Sequence, residues 1–266
     1  LDQLKGSLIS VWNVHQRNAP EKTLVSQANL IDASASQRFV VGAMIDGSVC
    51  VWDLNEDDYF HKEVILQNKK YVLRCPSFNT AGTGTGHENE IVSLTKLKDN
   101  QINNDNMMFS TLDAEGTIIV WLATESLEQL NGASPMSKVK LNKLSQLNVK
   151  EQHPNLTFYS TCFTSDQNDF TQFYVGTDLG LVVRCSRQDS VNDLPSQYEF
   201  NSLSIVITIS WSEYSNSKFF VGYNDGSVCQ FFIEDEHPII IFESKNFSIL
   251  HIQCCFDESF TFASSD

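Results

Sequence analysis

The sequence predicts an all-β fold made of repeated four-stranded antiparallel sheets. Three observations carry that prediction: a recurring hairpin phrase, the period at which it recurs, and strand-forming composition on both sides of every turn. The phrase appears as FVVGAMIDGSVCVW, MMFSTLDAEGTIIVW, FYVGTDLGLVVRC and FFVGYNDGSVCQFF, each an apolar run, a tight turn closing on glycine, and a second apolar run. The turn glycines are Gly47, Gly116, Gly180 and Gly226, and five residues after each stands Trp52, Trp121, Cys185 or Phe231. A turn that demands positive φ accounts for a glycine at this place. A weaker copy, GSLISVW, ends at Trp12 with one extra residue between Gly6 and the tryptophan.

Successive turn glycines, counted from Gly6, lie 41, 69, 64 and 46 residues apart, which describes a short unit carrying two insertions. A unit of roughly 40–45 residues is the period of a propeller blade. One such sheet buries little alone, so its neighbours must stack on it to cover both apolar faces. In the cleanest unit, SIVITISW reads as the first strand, KFFVGY as the second, SVCQFFI as the third and PIIIFES as the last. Each is short, rich in β-branched and aromatic residues, and bounded by Asn, Asp, Gly or Ser. The chain opens within a blade, on a third strand around Trp12, and closes on FTFASSD, a second strand halting where its turn should begin. A complete ring has about 4–8 blades, and usually about seven for this sort of repeat. The expected organisation is therefore a single propeller domain over residues 1–266, partial at both ends, with insertions at about 67–86 and 122–150.

Composition narrows the function classes. The 266 residues are 41% hydrophobic, enough for a large core, and no apolar run approaches the roughly 18–20 residues of a membrane span. No secretory pattern opens the sequence, so a soluble protein is expected. With 33 acidic against 18 basic residues the net charge is −15, a field that repels phosphate backbones and anionic membranes. Lys138, Lys140 and Lys143 form the one basic cluster and read as a solvated loop or strand edge. The seven cysteines, Cys50, Cys75, Cys162, Cys185, Cys229, Cys254 and Cys255, include no CxxC pair with histidine at metal spacing. Their odd number argues against a full disulfide framework and fits a reducing cytosolic compartment. Cys50 and Cys229 share one repeat position, three after the turn glycine, and read as small apolar strand residues.

One stretch imitates a catalytic triad. GHENEIVSL places His87 before a strand, Ser110 and Thr111 lie on the next, Asp113 and Glu115 approach its turn, and Trp121 ends the third. As Ser, His and acid these residues would suit acyl transfer. Asp46 and Asp225, each six residues before Trp52 and Phe231, occupy the place of Glu115 in blades that have no histidine to act as base. A part repeated without its base is structural. HExxH is absent, the aspartate and glycine of IDGSVCVW stand at the wrong distance from tryptophan for a sialidase Asp box, and the glycines of AGTGTGHEN precede no helix that could hold a phosphate. No catalytic residue, metal ligand or cofactor is expected.

GSVCVWDL, with the GH-to-W layout of the His87 blade, resembles the WD-repeat family. That resemblance implies a buried hydrogen-bond lock of histidine, strand hydroxyl, turn acid and tryptophan, here His87, Ser110, Glu115 and Trp121, with Asp46, Trp52 and Asp225 as counterparts elsewhere. KKYVLRCPSFNTAG, DAEGTIIVWLATE, MSKVKLNKLSQLNV and FYVGTDLGLVVRCSRQDS, in that order, resemble the propeller of dynein intermediate chains. The likeness is greatest to those of dynein-2, the cytoplasmic dynein of intraflagellar transport, and covers about residues 40–235.

The family implies a non-catalytic scaffold: a propeller that grips the heavy-chain tail, with a second intermediate chain and light chains bound through regions outside this segment. It also implies a place in the cytoplasm, cytoskeleton and cilium, and a role in retrograde transport and cilium assembly. Cys185 and Phe231 depart from the expected tryptophan, and one GH pair remains. An axonemal dynein intermediate chain, a generic WD-repeat adaptor and a propeller-fold enzyme stay open as alternatives. Within the insertions, Tyr71, Arg74 and Phe78 are the candidate partner contacts, because aromatic and arginine side chains dominate hot spots.

Overall fold

Hairpins closed by glycine turns set the frame. The structure, a computed structural model, describes residues 6–15, 18–57, 61–66, 69–97, 105–125, 137–188, 194–201, 203–212, 217–243, 248–254 and 262–265. In chain order, β1 (Leu8–Val11) and β2 (Lys22–Val25) pair antiparallel. Then β3 (Leu30–Ala35), β4 (Phe39–Met44) and β5 (Val49–Asp53) form a meander. The hairpin β6 (Lys62–Leu66) and β7 (Lys69–Arg74) precedes β8 (Phe78–Asn79), which pairs with β5. The next sheet holds β9 (Ile91–Lys96), β10 (Met107–Asp113), β11 (Thr117–Glu125) and β12 (Val139–Asn148), followed by the single turn of helix α1 (Val149–Gln152). Two further meanders follow: β13 (Ser160–Ser165), β14 (Gln172–Thr177), β15 (Leu181–Ser186) and β16 (Gln197–Glu199); then β17 (Val206–Trp211), β18 (Lys218–Tyr223), β19 (Ser227–Phe232) and β20 (Ile240–Glu243). The last pair is β21 (His251–Cys254) with β22 (Phe262–Ser265). The four strands read in the cleanest unit of the sequence are β17 to β20.

The four turns share one geometry. The N–H groups of Gly47, Gly116, Gly180 and Gly226 each donate to the carbonyl three residues earlier, at Met44, Asp113, Thr177 and Tyr223. Gly47, at φ 80°, shows why the residue is required: a Cβ there would lie 2.6 Å from the His87 carbonyl oxygen. In return, the Gly47 carbonyl accepts the N–H of His87 at 3.0 Å. The turn of one sheet thus fixes the residue that opens the next. Measured from these turns, β3, β13 and β17 each carry a register shift at the same place, between Leu30 and Asp32, Ser160 and Cys162, and Val206 and Thr208.

One sheet departs from the meander. Its order is β1-β2-β7-β6, and β7 runs parallel to β2, with Thr23 opposite Leu73 and Leu24 opposite Arg74. β7, which sequence reading places in the insertion at about 67–86, therefore extends a sheet: with β6 it is built between β5 and β8 but pairs with β2. The insertion expected at 122–150 likewise contains β12 and α1. Trp12 stands just beyond β1 and is 54% exposed, unlike the buried Trp52 and Trp121, so the weak first copy lacks the packed tryptophan of the others.

The chain divides into two compact units, one of Leu1–Lys96, Asn100–Thr111 and Ile119–Leu144, the other of Leu97–Asp99, Leu112–Ile118 and Ser145–Asp266. The first has a mixed aliphatic and aromatic core around Phe39, Val51, Phe109 and Trp121, with a second cluster around Leu24, Met44 and Trp52. The second is aromatic: Tyr174, Tyr198, Trp211, Phe219 and Phe231 meet with ring centroids 5.1–5.9 Å apart. Phe219 and Phe231 stack with their planes 9° apart. Such pairs add about 0.5–1.5 kcal/mol each beyond their buried area. No helix among the described residues is long and apolar enough to cross a membrane.

Candidate functional site

The triad look-alike is a closed hydrogen-bond lock. His87 Nε2 lies 2.7 Å from Thr111 Oγ1, and Trp121 Nε1 donates to the same oxygen at 2.8 Å. Indole N–H is donor only, so the Thr111 oxygen accepts from Trp121, and its hydroxyl shares the second bond with the imidazole. Thr111 and Trp121 are buried, so this hydroxyl meets no substrate and cannot serve as a nucleophile. The arrangement partners polar groups that would otherwise be costly inside the sheet.

Two residues of the expected lock are corrected. Ser110 is fully buried and its hydroxyl finds no partner among the described residues; adjacent strand residues face opposite ways, and it is Thr111 that faces Trp121. Glu115 points out of the turn and pairs with Lys150, while Asp113, 1% exposed, accepts the N–H of Thr117 at 2.8 Å. Counting six back from tryptophan lands on the turn residue before glycine, which is solvent-facing. Asp46 and Asp225 stand at that turn place and brace it: Asp46 accepts the N–H and hydroxyl of Ser48, and Asp225 accepts the N–H of Ser227 and the hydroxyl of Ser204. Burial works to raise the Asp225 carboxyl, and the bonds from Ser204 and Ser227 overcome it, leaving its pKa lowered.

Trp52 is locked differently. Register places Gly42 opposite Cys50 in β4–β5, so no hydroxyl is available, and a Cβ on Gly42 would come within 3.1 Å of the indole. Trp52 Nε1 instead donates to the Arg74 carbonyl at 3.2 Å. The Arg74 guanidinium, 3% exposed, donates to the carbonyls of Asp53 and Glu56. Phe78 is 6% exposed in the core of the first unit. Arg74 and Phe78 are therefore interior residues and not partner contacts: the segment that carries them is folded into the sheets. Tyr71, on β7 opposite Val64, stays half-buried.

A charged pocket of about 340 Å³ lies beside this segment, lined by Arg38, Asp53, Asn55, Glu56, Glu125 and Lys138 among others. Arg38 bridges Asp53 at 2.8 Å and Glu125 at 2.9 Å. Its hydrogen bonds raise its own pKa and hold the Glu125 carboxyl below its usual range. Glu56 goes the other way: burial pushes it up, against hydrogen bonds from Ser77 and Ser137. Among the described residues no group of three or more His, Cys, Asp or Glu could hold a metal. Burial pushes the thiols of Cys50, Cys162 and Cys229 up to about 12, so they stay protonated at neutral pH and are poor nucleophiles.

Sequence reading missed the glycine on the second strand. A Cβ on Gly176 would lie 2.5 Å from Val206 Cγ1, and one on Gly222 would lie 2.7 Å from Ile249 Cγ2, both at the start of the following unit. The repeated dipeptide Val-Gly was visible as the signal, and close approach of neighbouring sheets is its cause.

No family model matches the sequence. The chain is 26% identical over 277 aligned positions, 90% of its length, to cytoplasmic dynein 2 intermediate chain 1 of Mus musculus and of Homo sapiens. It spans 28% and 26% of those relatives' lengths. Among solved structures, the β-propeller domain of Cps50 (Swd1) from Myceliophteria thermophila superposes with a TM-score of 0.54 at 11% identity, covering 86% of this chain and 60% of that one. The match to a solved propeller shows the fold, as do the four-stranded sheets themselves. With its glycine turns and buried tryptophans, the chain has a β-propeller fold and is similar, over nine-tenths of its length, to cytoplasmic dynein 2 intermediate chain 1.

Proposed function

We propose that this propeller is a non-catalytic scaffold module of a dynein intermediate chain, that it binds the heavy-chain tail, and that the motor it serves drives retrograde intraflagellar transport and cilium assembly. The observation that carries the reading is the alignment to the dynein-2 intermediate chain across 90% of the chain. The buried Thr111 hydroxyl and the protonated thiols support a binding role over a catalytic one. Light chains and a second intermediate chain would attach through regions beyond this segment, and the working place would be the cytoskeleton and cilium. Nucleic acid and membranes are not proposed partners, given the net charge of −15.

Heavy-chain helices that meet so acidic a surface should present lysine and arginine, so association should weaken as salt rises. The test is affinity capture of the tagged chain from ciliated cells, with the dynein heavy chains identified by mass spectrometry at low and high salt. Recovery of the dynein-2 heavy chain, reduced at high salt, is the expected outcome. An axonemal heavy chain in its place would move the assignment to the axoneme, and recovery of no heavy chain would leave a WD-repeat adaptor of another complex.

A further inference from the structure

The glycines of AGTGTGHEN open no helix, and the tryptophan lock uses only the histidine that follows them. They belong to the segment that joins β8 to β9. Gly82 and Gly84 differ in kind from Gly47: their φ angles are 79° and 70°, yet a Cβ on either would meet nothing within 4 Å. They bend a loop that stands clear of the sheets and serve no close contact. From Cys75 to Thr95 the sequence has no lysine or arginine, while Glu88 and Glu90 are exposed just before β9.

The hydroxyls along this segment are graded in exposure. Ser77 and Thr80 are buried, and Thr80 Oγ1 accepts the Val49 N–H at 2.8 Å. Thr83 is half-buried and donates to the Thr80 carbonyl at 2.7 Å. Thr85 is exposed, and its hydroxyl oxygen lies 2.6 Å from Thr83 Oγ1. The one proton of Thr83 is committed to Thr80, so Thr85 is the donor in that pair and its oxygen keeps its lone pairs free to attack. Glu88 and Glu90 stand three and five residues beyond it.

We propose that Thr85 is a phosphorylation site for an acidophilic protein kinase, one whose basic cleft binds the glutamates that follow the acceptor. Thr85 Oγ1 attacks the γ-phosphorus of ATP, and the new O–P bond forms as the bond from that phosphorus to ADP breaks. ADP leaves, and the hydroxyl proton passes to the aspartate base of the kinase. The product carries a charge of about −1.5 to −2 and gives up only the exposed bond to Thr83. That charge joins those of Glu88, Glu90 and Asp46, whose Gly47 turn packs on the backbone of His87 and Asn89. Ser196 is the contrast. It is exposed with Glu199 three residues on, but Gln197–Glu199 is β16, paired along its length with β15, and the fifth residue is Asn201. The site is independent of the dynein reading and of heavy-chain capture.

The test is incubation of the 266-residue chain with ATP and a purified kinase of the casein kinase 2 type, with the modified residues located by mass spectrometry. Phosphate on Thr85 is expected, and Thr85→Ala should remove it. The double variant E88Q/E90Q should be modified about tenfold more slowly, because the kinase loses its charge complement. Both variants replace exposed side chains and should melt like the parent. A peptide of residues 78–92 is the unfolded reference, and the folded chain should be modified at a comparable rate because its loop stands clear. Absence of phosphate from Thr85 of the chain, whether or not the peptide takes it, would overturn the proposal. So would phosphate on Ser196 in place of Thr85, or a rate that E88Q/E90Q leaves unchanged.

Discussion

Trp52 and Trp121 occupy the same place in the repeat, five residues past a turn glycine, and both are 1% exposed, yet they are held by different chemistry. Trp121 closes a side-chain chain through Thr111 to His87, all within strands and loops of the repeat itself. Trp52 borrows a backbone carbonyl from Arg74, 22 residues downstream, in a segment the repeat does not require. A repeat fixes where a large side chain must be buried, because that volume fills the core. It does not fix what satisfies the polar atom that comes with it, and any oxygen within reach can do so. Once an insertion supplies that oxygen it ceases to be an ornament on the blade.

Truncating either tryptophan tests the shared part of this comparison and should have the largest effect. Trp52→Ala and Trp121→Ala should each cost about 3–5 kcal/mol, read by thermal or denaturant melting. A variant that melts like the parent would mean its indole fills no core volume.

Replacing Arg74 separates the two locks. Arg74→Ala removes the guanidinium that donates to the carbonyls of Asp53 and Glu56 and should cost about 1–3 kcal/mol. The loss should add to that of Trp121→Ala, since additivity holds where no partner is shared, and should fall short of additivity with Trp52→Ala. Because Trp52 bonds the Arg74 backbone carbonyl, full additivity with Trp52 would show that the Arg74 side chain does not hold that carbonyl in place.

Much of this fold was legible because its causes are local. A turn glycine is dictated by its own φ, and the runs beside it are dictated by burial. The lock was legible only in part. MMFSTLD is buried along its whole length, so it has no alternation to tell which of Ser110 and Thr111 faces Trp121. The acid was misplaced because Glu115 holds the right distance from tryptophan but sits on the solvent side of the turn, and Asp113 begins it. The partner of Trp52 and the parallel pairing of β7 with β2 depend on residues far along the chain. No short phrase records them.

Substitutions within the His87 sheet sharpen that point on a smaller scale. His87→Ala and Thr111→Val should each cost about 1–3 kcal/mol, because each leaves a buried polar partner unmatched. Ser110→Ala should be neutral or slightly stabilising, since its hydroxyl has no partner to lose among the described residues. None of the three should alter a hydrolase screen. A histidine-dependent hydrolysis would restore the triad reading, and a costly Ser110→Ala would show that the strand faces have been exchanged.

The smallest effect concerns the charged pocket, where Glu56 and Glu125 contrast as the two tryptophans do. Arg38 holds the Glu125 carboxyl low, whereas burial lifts Glu56 above the roughly 4.3 of an unperturbed glutamate. For a carboxyl whose folded pKa is raised, the folded state binds the proton more tightly. Its contribution to stability is then present in full below about pH 4.3 and is lost as pH rises through the folded pKa. Glu125 has the opposite sign, but it is the more exposed and solvent screens it. Glu56→Gln removes the charge and keeps the shape, so it should melt higher than the parent at pH 7 and level with it near pH 4. A variant that melts lower at pH 7 would show that the hydrogen bonds from Ser77 and Ser137 to the ionised Glu56 outweigh burial.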